Sequence, residues 1–482
     1  MDMKSLSAIA PACLWFTLLS NSGHAVTGDH TARKPNIVLI MADDLGYREL
    51  GCYGQSKIRT PHIDRLAAQG MRFTNYYSGS AVCAPARCNL ITGRHGGQAY
   101  IRDNGEVGGW DTFQGQTPLP AGTVTIASLL KQAGYATGVF GKWGLGGVNT
   151  SGDPLNQGFD RFFGYNCQRH AHNLYPRYLI DDKTKKVLQG NTRDVTGRHY
   201  APQVIADEML KFVRANQDQP FFLYYATVLP HLALQAPQDA IDEYKGQWEE
   251  TPYTGKSYQP HPTPKSCYAA MISFLDKQIG RLMHLLDELG LDQETIVFFT
   301  SDNGTTFLKK QVDYEFFNSV GNLRGLKGSL YEGGIRVPLI VRWPGRIKAD
   351  TTTEHIGAHY DIMATLCELV ECKTRPDSNG ISFLSTLLSQ PSQQKQHKHL
   401  FWDFSGYGGQ LAVRMGRWKG IKRDLKKNPQ AALELYDLIN DEGETTDLAS
   451  ARPDIAEKIE TIMMTDRTEP EVKKFRFGQY GR

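Results

Sequence analysis

A short continuous apolar run at residues 37–41 is followed by similar, largely apolar runs at 136–140, 221–228, 295–300 and 337–341. A run of this length with no polar alternation reads as a strand buried on both faces, the habit of parallel sheets. Between the runs, apolar residues recur at helical spacing over 62–69, 123–133 and 266–289, and these segments stop at Gly70, Gly134 and Gly290. Glycine there suits the left-handed cap that closes a helix. The alternation predicts an α/β domain over residues 34–390 with a doubly wound, mostly parallel sheet. The texture changes after residue 390. A polar stretch at 390–398 reads as a linker, followed by short strand-like pieces at 400–404, 411–415, 418–421 and 433–438. Met415-Gly416-Arg417-Trp418 reads as a hairpin turn and 451–464 as a closing helix, so residues 391–482 predict a smaller α+β domain with an antiparallel sheet.

The N-terminus departs from this pattern. Lys4, an apolar stretch over 6–19 and the small residues around Gly23-His24-Ala25 give residues 1–25 the form of a cleaved secretory signal. Export to a periplasm or to the outside is therefore expected, and no later run is long and apolar enough to predict a membrane span in the mature chain. A net charge of +3 over 482 residues argues against a nucleic-acid footprint. Of eight cysteines, Cys13 would leave with the signal. The seven others (Cys52, Cys83, Cys88, Cys167, Cys267, Cys367 and Cys372) are an odd number without a CxxC spacing. Six could pair in an oxidising compartment, which leaves one with a different fate.

Candidate chemistry gathers just beyond the apolar runs, where open α/β sheets place their sites. The first run leads to Asp43-Asp44 and the fourth to Asp302-Asn303-Gly304. Two such oxygen-rich pairs leaving one sheet edge suit a hard cation, calcium or magnesium in preference to zinc. The second run leads to Lys142, the third to His231, and Lys327 precedes the fifth. Lysines and a proton donor around a cation fit a doubly charged tetrahedral oxyanion. Cys83-Ala84-Pro85-Ala86-Arg87 offers a thiol on a proline-containing turn, then an arginine, then a predicted helix, and a helix N-terminus and an arginine both lower a thiol pKa. By itself this segment reads as a reactive cysteine or half of a disulfide.

Cys83-Ala84-Pro85-Ala86-Arg87 with Thr92-Gly93-Arg94 closely resembles the signature of the type I sulfatases of the alkaline-phosphatase superfamily. The resemblance extends over Thr60-Pro61-His62-Ile63-Asp64, Pro230-His231, Asp302-Asn303-Gly304 and Leu435-Tyr436-Asp437-Leu438. It implies an alkaline-phosphatase-like fold and sulfate-ester hydrolysis, with Cys83 oxidised to formylglycine by a dedicated maturation enzyme. It further implies one calcium ion held by Asp43, Asp44, Asp302, Asn303 and the modified Cys83. Arg87 would hold the formylglycine diol, Lys142 and Lys327 the sulfate oxygens, and His231 would protonate the departing alcohol. One position departs from the pattern: Gly144 stands where the family commonly has the histidine of G-K-W-H-L-G. The loop at 165–172 offers His172, then His170, as a substitute. The resemblance also favours a sulfated saccharide as substrate, of the galactose or N-acetylgalactosamine sulfate type. Tyr175, Tyr178 and Trp110 are the aromatics expected to meet it, and Arg102, Asp103 and Asn104 are expected on the leaving-group side.

Overall fold

The structure is a computed structural model that describes residues 34–107, 116–373 and 377–481; the signal-like residues 1–25 and Trp110 lie outside them. The stretch Lys34–Arg482 is one compact unit. Its centre is the strand Asn36–Ala42, paired in parallel with Phe221–Ala226 on one side and Thr295–Ser301 on the other. Val38 and Ile40 enter one hydrophobic core while Ile37, Leu39 and Met41 enter the other. Both faces are covered, so the run from Ile37 to Ala42 is apolar, and the buried Asn36 at its start is satisfied by hydrogen bonds with Thr295 and the Phe221 N–H.

Ten strands make up this sheet. Ala136–Lys142 and Arg161–Tyr165 extend the parallel region beyond Phe221–Ala226. The short strands Tyr178–Asp181 and Thr184–Val187 close that side with antiparallel pairings. On the opposite side Leu339–Arg342 runs antiparallel to both of its neighbours, Thr295–Ser301 and Met71–Tyr77. The apolar run at 337–341 thus reports burial on two faces and not strand direction. Thr351–Ala358 forms the outer edge, parallel to Met71–Tyr77. A second sheet of four antiparallel strands, Leu400–Phe404, Gln410–Met415, Trp418–Lys422 and Glu434–Asp437, carries the helix Pro453–Thr465.

Buried polar contacts join the two sheets. Trp402 donates its indole N–H to the Ser78 carbonyl (2.8 Å), and Arg102 donates to Asp403 (2.9 Å). Lys419 is fully buried between Glu332 (2.8 Å) and Glu444 (2.9 Å). Removing one member of such a buried pair strands the other, at a cost of about 3–5 kcal/mol.

The pairing of six cysteines that the count allowed is not found: the seven described cysteines are all thiols. Cys267 lies in the core on one side of the sheet, Cys88 and Cys367 in the core on the other. No helix among the described residues is long and apolar enough to cross a membrane.

Candidate active site

The chemistry converges because adjacent strands end at the same edge. Asp43 and Asp44 follow Ala42, and Asp302 follows Ser301 on the neighbouring parallel strand. The Asp44 N–H donates to Asp302 Oδ1 (3.0 Å), and Asn303 Nδ2 donates to Asp44 Oδ1 (2.7 Å). Lys142 ends the strand Ala136–Lys142 and donates to Asp43 Oδ2 (2.6 Å). Cys83 opens the helix Cys83–Thr92, which is buried along its whole length. Its Sγ lies 3.3 Å from Asp43 Oδ1 and 3.9 Å from Asp44 Oδ1. One turn later Arg87 clasps Asp302 Oδ2 through Nε (3.2 Å) and Nη2 (2.8 Å) and donates from Nη1 to the Lys142 carbonyl (2.7 Å). Lys327 reaches the same point from the far loop, 2.8 Å from Asp44 Oδ2 and 3.5 Å from Cys83 Sγ. His231 Nε2 is 3.6 Å from Asp44 Oδ2, with Nδ1 against the Leu232 carbonyl. A carbonyl can only accept, so Nδ1 carries a proton.

The donor set fits a hard cation. Asp43, Asp44, Cys83 and His231 bring candidate ligand atoms within 4.8 Å of one another. The Asn303 carboxamide oxygen is buried with no hydrogen-bond partner, a free oxygen donor beside three carboxylates. Those carboxylates (Asp43, Asp44 and Asp302) face three cations (Arg87, Lys142 and Lys327). The protein charges balance, so a divalent cation and an anionic ester can enter together without leaving a large net charge buried.

Electrostatics revise the expectation for Cys83. Burial, then Asp302 and Asp43, push its thiol well above the ordinary range and override the helix N-terminus and the cations. Cys83 is therefore not an activated thiolate here. For Lys142 and Lys327 burial is the largest single influence and works against the charged form, but the surrounding negative charges, led by Asp43 and Asp44 respectively, together outweigh it and raise both pKa values. Burial, then Lys327 and Lys142, hold His231 well below the usual histidine range.

The loop at 165–172 separates its two histidines. His172 stacks on His231 (ring centroids 4.8 Å apart, 16° between planes) and also meets Tyr258 (5.3 Å). His170 packs between Tyr165 and Tyr178 (5.1 and 4.6 Å). Gly144 has a left-handed φ of 77°, and a Cβ there would collide with the Gln168 amide nitrogen. Gln168 thus occupies the space a side chain at 144 would need, and both of its amide atoms are buried without a protein partner. Gly144→Ala is expected to destabilise the fold by roughly 1–3 kcal/mol through overpacking and backbone strain. Gln168→Ala in the same chain should recover part of the loss. Thermal unfolding of the single and double variants checks this; equal losses would show that the two positions are not in contact.

Several expected positions lie elsewhere. Tyr175 and Tyr178 are buried packing residues. Arg102 holds Asp403 of the second sheet and does not line a leaving-group side. Asn104 accepts from the Ala84 N–H (3.0 Å) and steadies the Cys83 turn. Neither Gln168 nor Tyr258 carries a site signal of its own in the sequence, because only tertiary folding brings them to Gly144 and His172.

Comparison with known proteins agrees with this geometry. Residues 35–372 match the Sulfatase family model, and residues 326–468 match that of the N-sulphoglucosamine sulphohydrolase C-terminal region. The chain belongs to the sulfatase family and is a sulfuric-ester hydrolase. It is 29% identical to an N-acetylgalactosamine-6-O-sulfatase of Bacteroides thetaiotaomicron, covering 97% of this chain and 100% of the relative. It is 31% identical to human arylsulfatase A, over 90% of this chain and 88% of the relative. Among solved structures, Ps i-CgsB in complex with k-i-k-neocarrahexaose superposes with a TM-score of 0.76 at 25% identity, covering 91% of this chain and 94% of that one.

Proposed function

We propose that this sulfatase removes sulfate from a sulfated carbohydrate of the galactose or N-acetylgalactosamine type, using a formylglycine made from Cys83 and one calcium ion. The observation that carries this reading is the placement of Cys83 between Asp43 and Lys327, within a shell that pairs three carboxylates with three cations. The N-acetylgalactosamine-6-O-sulfatase relative supports the substrate class. Asp43, Asp44, Asp302 and Asn303 would hold the calcium. The signal-like residues 1–25 support export to a periplasm or beyond, with Cys83 converted by a formylglycine-generating maturation enzyme.

Calcium held by Asp43, Asp44, Asp302 and Asn303 would supply charge compensation, and a hydrated formylglycine at position 83 would supply one hydroxyl as nucleophile and a second whose deprotonation permits release of sulfate. The chain does the rest. Lys142 and Lys327 hold the sulfate oxygens as point charges, and Arg87, clasped to Asp302, holds the formylglycine diol. Burial of the cluster excludes water, which strengthens each of these interactions. His231 faces the ester oxygen with Nε2 and gives it a proton as the alcohol departs. His172, stacked on the imidazole, keeps that ring in place.

The protonated form of His231 is the active one, and its surroundings depress its pKa. kcat/KM should therefore be highest on the acid side and fall as pH rises through a value below 6.5. His231→Asn should abolish that limb and slow turnover by about 10²–10⁴. A limb that persists in the variant would remove the proton-donor role. For the substrate class, initial rates on sulfated N-acetylgalactosamine and galactose should exceed those on matched sulfated glucosamine. The opposite order would overturn it.

A further inference from the structure

A short loop of the second sheet, Ser405-Gly406-Tyr407-Gly408-Gly409, between the strands Leu400–Phe404 and Gln410–Met415, packs beside the segment that carries Lys327. Tyr407 is 59% exposed and takes a left-handed φ of 48° with glycines on either side. A bulky residue rarely adopts that conformation unless its surroundings impose it, and such positions cluster at ligand clamps. Here the imposing contacts are visible. The Tyr407 ring lies over Gly328, where a Cβ would sit 3.2 Å from the ring carbons. Gln410, at the end of the loop, donates to the Gly328 carbonyl (2.8 Å). Gly328 directly follows Lys327, the lysine that touches Cys83 and Asp44.

A second aromatic backs the first. Phe307, on the loop that follows Asp302-Asn303-Gly304, is 42% exposed and meets Tyr407 edge-on (5.8 Å, 78°). Phe404 lies on the other side of Tyr407 (5.8 Å). Through Gly328 the ring stands beside Lys327, whose Nζ is 2.8 Å from Asp44 and 3.5 Å from Cys83 Sγ, so Tyr407 neighbours the charged cluster. Two exposed aromatics, on loops that follow strands of different sheets, thus meet beside Lys327. An ester anchored there by its anion must project its alcohol part outward past this pair.

We propose that Tyr407, buttressed by Phe307, forms the leaving-group subsite and stacks its ring face on the pyranose that bears the sulfate. The proposal rests on the sulfated-carbohydrate reading. An aromatic face is electron-rich at its centre, so it favours the electropositive C–H face of a sugar ring while the sugar hydroxyls remain wetted.

The test uses the full-length active enzyme and measures KM and kcat on a sulfated N-acetylgalactosamine saccharide, together with inhibition by inorganic sulfate. Tyr407→Ala should raise the saccharide KM about tenfold, the scale of one lost aromatic face and its buried area. kcat should stay within about twofold, and the inhibition constant of sulfate should not move, because the anion-holding groups are untouched. Tyr407→Phe should keep the wild-type KM, and Phe307→Ala should shift it in the same direction as Tyr407→Ala but less. An unchanged saccharide KM in Tyr407→Ala would overturn the subsite. So would a rise matched by an equal loss of sulfate inhibition, which would mean a collapsed site. A wild-type enzyme that releases sulfate from other esters but from no saccharide would instead overturn the carbohydrate reading itself.

Discussion

Cys83→Ala is expected to lower kcat/KM for sulfate release by at least about 10⁴, in line with the loss of an enzymatic nucleophile, while the fold survives. The side chain is small, and its loss leaves Asp43 paired with Lys142 (2.6 Å) and within 3.7 Å of Arg87. The charged shell therefore stays compensated, and thermal unfolding should move by no more than a small core truncation would cause. Cys83→Ser is the more informative variant. It retains one hydroxyl in the right place but lacks the second that lets sulfate depart, so at most a single turnover is expected. Steady multiple turnover by the serine variant, or near-normal activity of the alanine variant, would refute the nucleophile assignment.

Removal of calcium should have an effect of comparable size. Chelation is expected to abolish turnover and to lower thermal stability, and added calcium should restore both. A ligand that binds only the folded chain contributes about 2.7 kcal/mol when present at a hundredfold excess over its Kd. The unfolding midpoint of the chelated enzyme should therefore rise measurably as calcium is titrated in. Asp302→Asn keeps the shape of the side chain and an acceptor for Arg87 but removes one of the three carboxylates. Its midpoint should respond much less to calcium. A midpoint indifferent to calcium in the wild-type chain would remove the cation from this site.

The parts of the fold that were legible in the sequence are those where burial left a one-dimensional trace. Asn36–Ala42, Phe221–Ala226 and Thr295–Ser301 are covered on both faces, and their runs are correspondingly apolar. Met71–Tyr77 and Thr351–Ala358 near the sheet edge carry Arg72, Thr74, Asn75 and three consecutive threonines, and their part-exposed faces erased the signal. The charged residues were legible because they stand next to those apolar strands. The acidity of the thiol was not, since burial and two carboxylates overrule the local features that suggested a thiolate. Gln168 and Tyr258 act through contacts distant in sequence and left no pattern. Tyr407 did leave one: a lone aromatic among three glycines, whose meaning depended on where the second sheet docks.

The central claim, that the working residue at position 83 is an aldehyde, is tested most directly by mass spectrometry of the peptide spanning Cys83–Arg87 from the active enzyme, with hydrazine trapping. The account predicts formylglycine at position 83, in a fraction that tracks specific activity across preparations. Full activity in enzyme that carries only the unmodified thiol at Cys83 would contradict it.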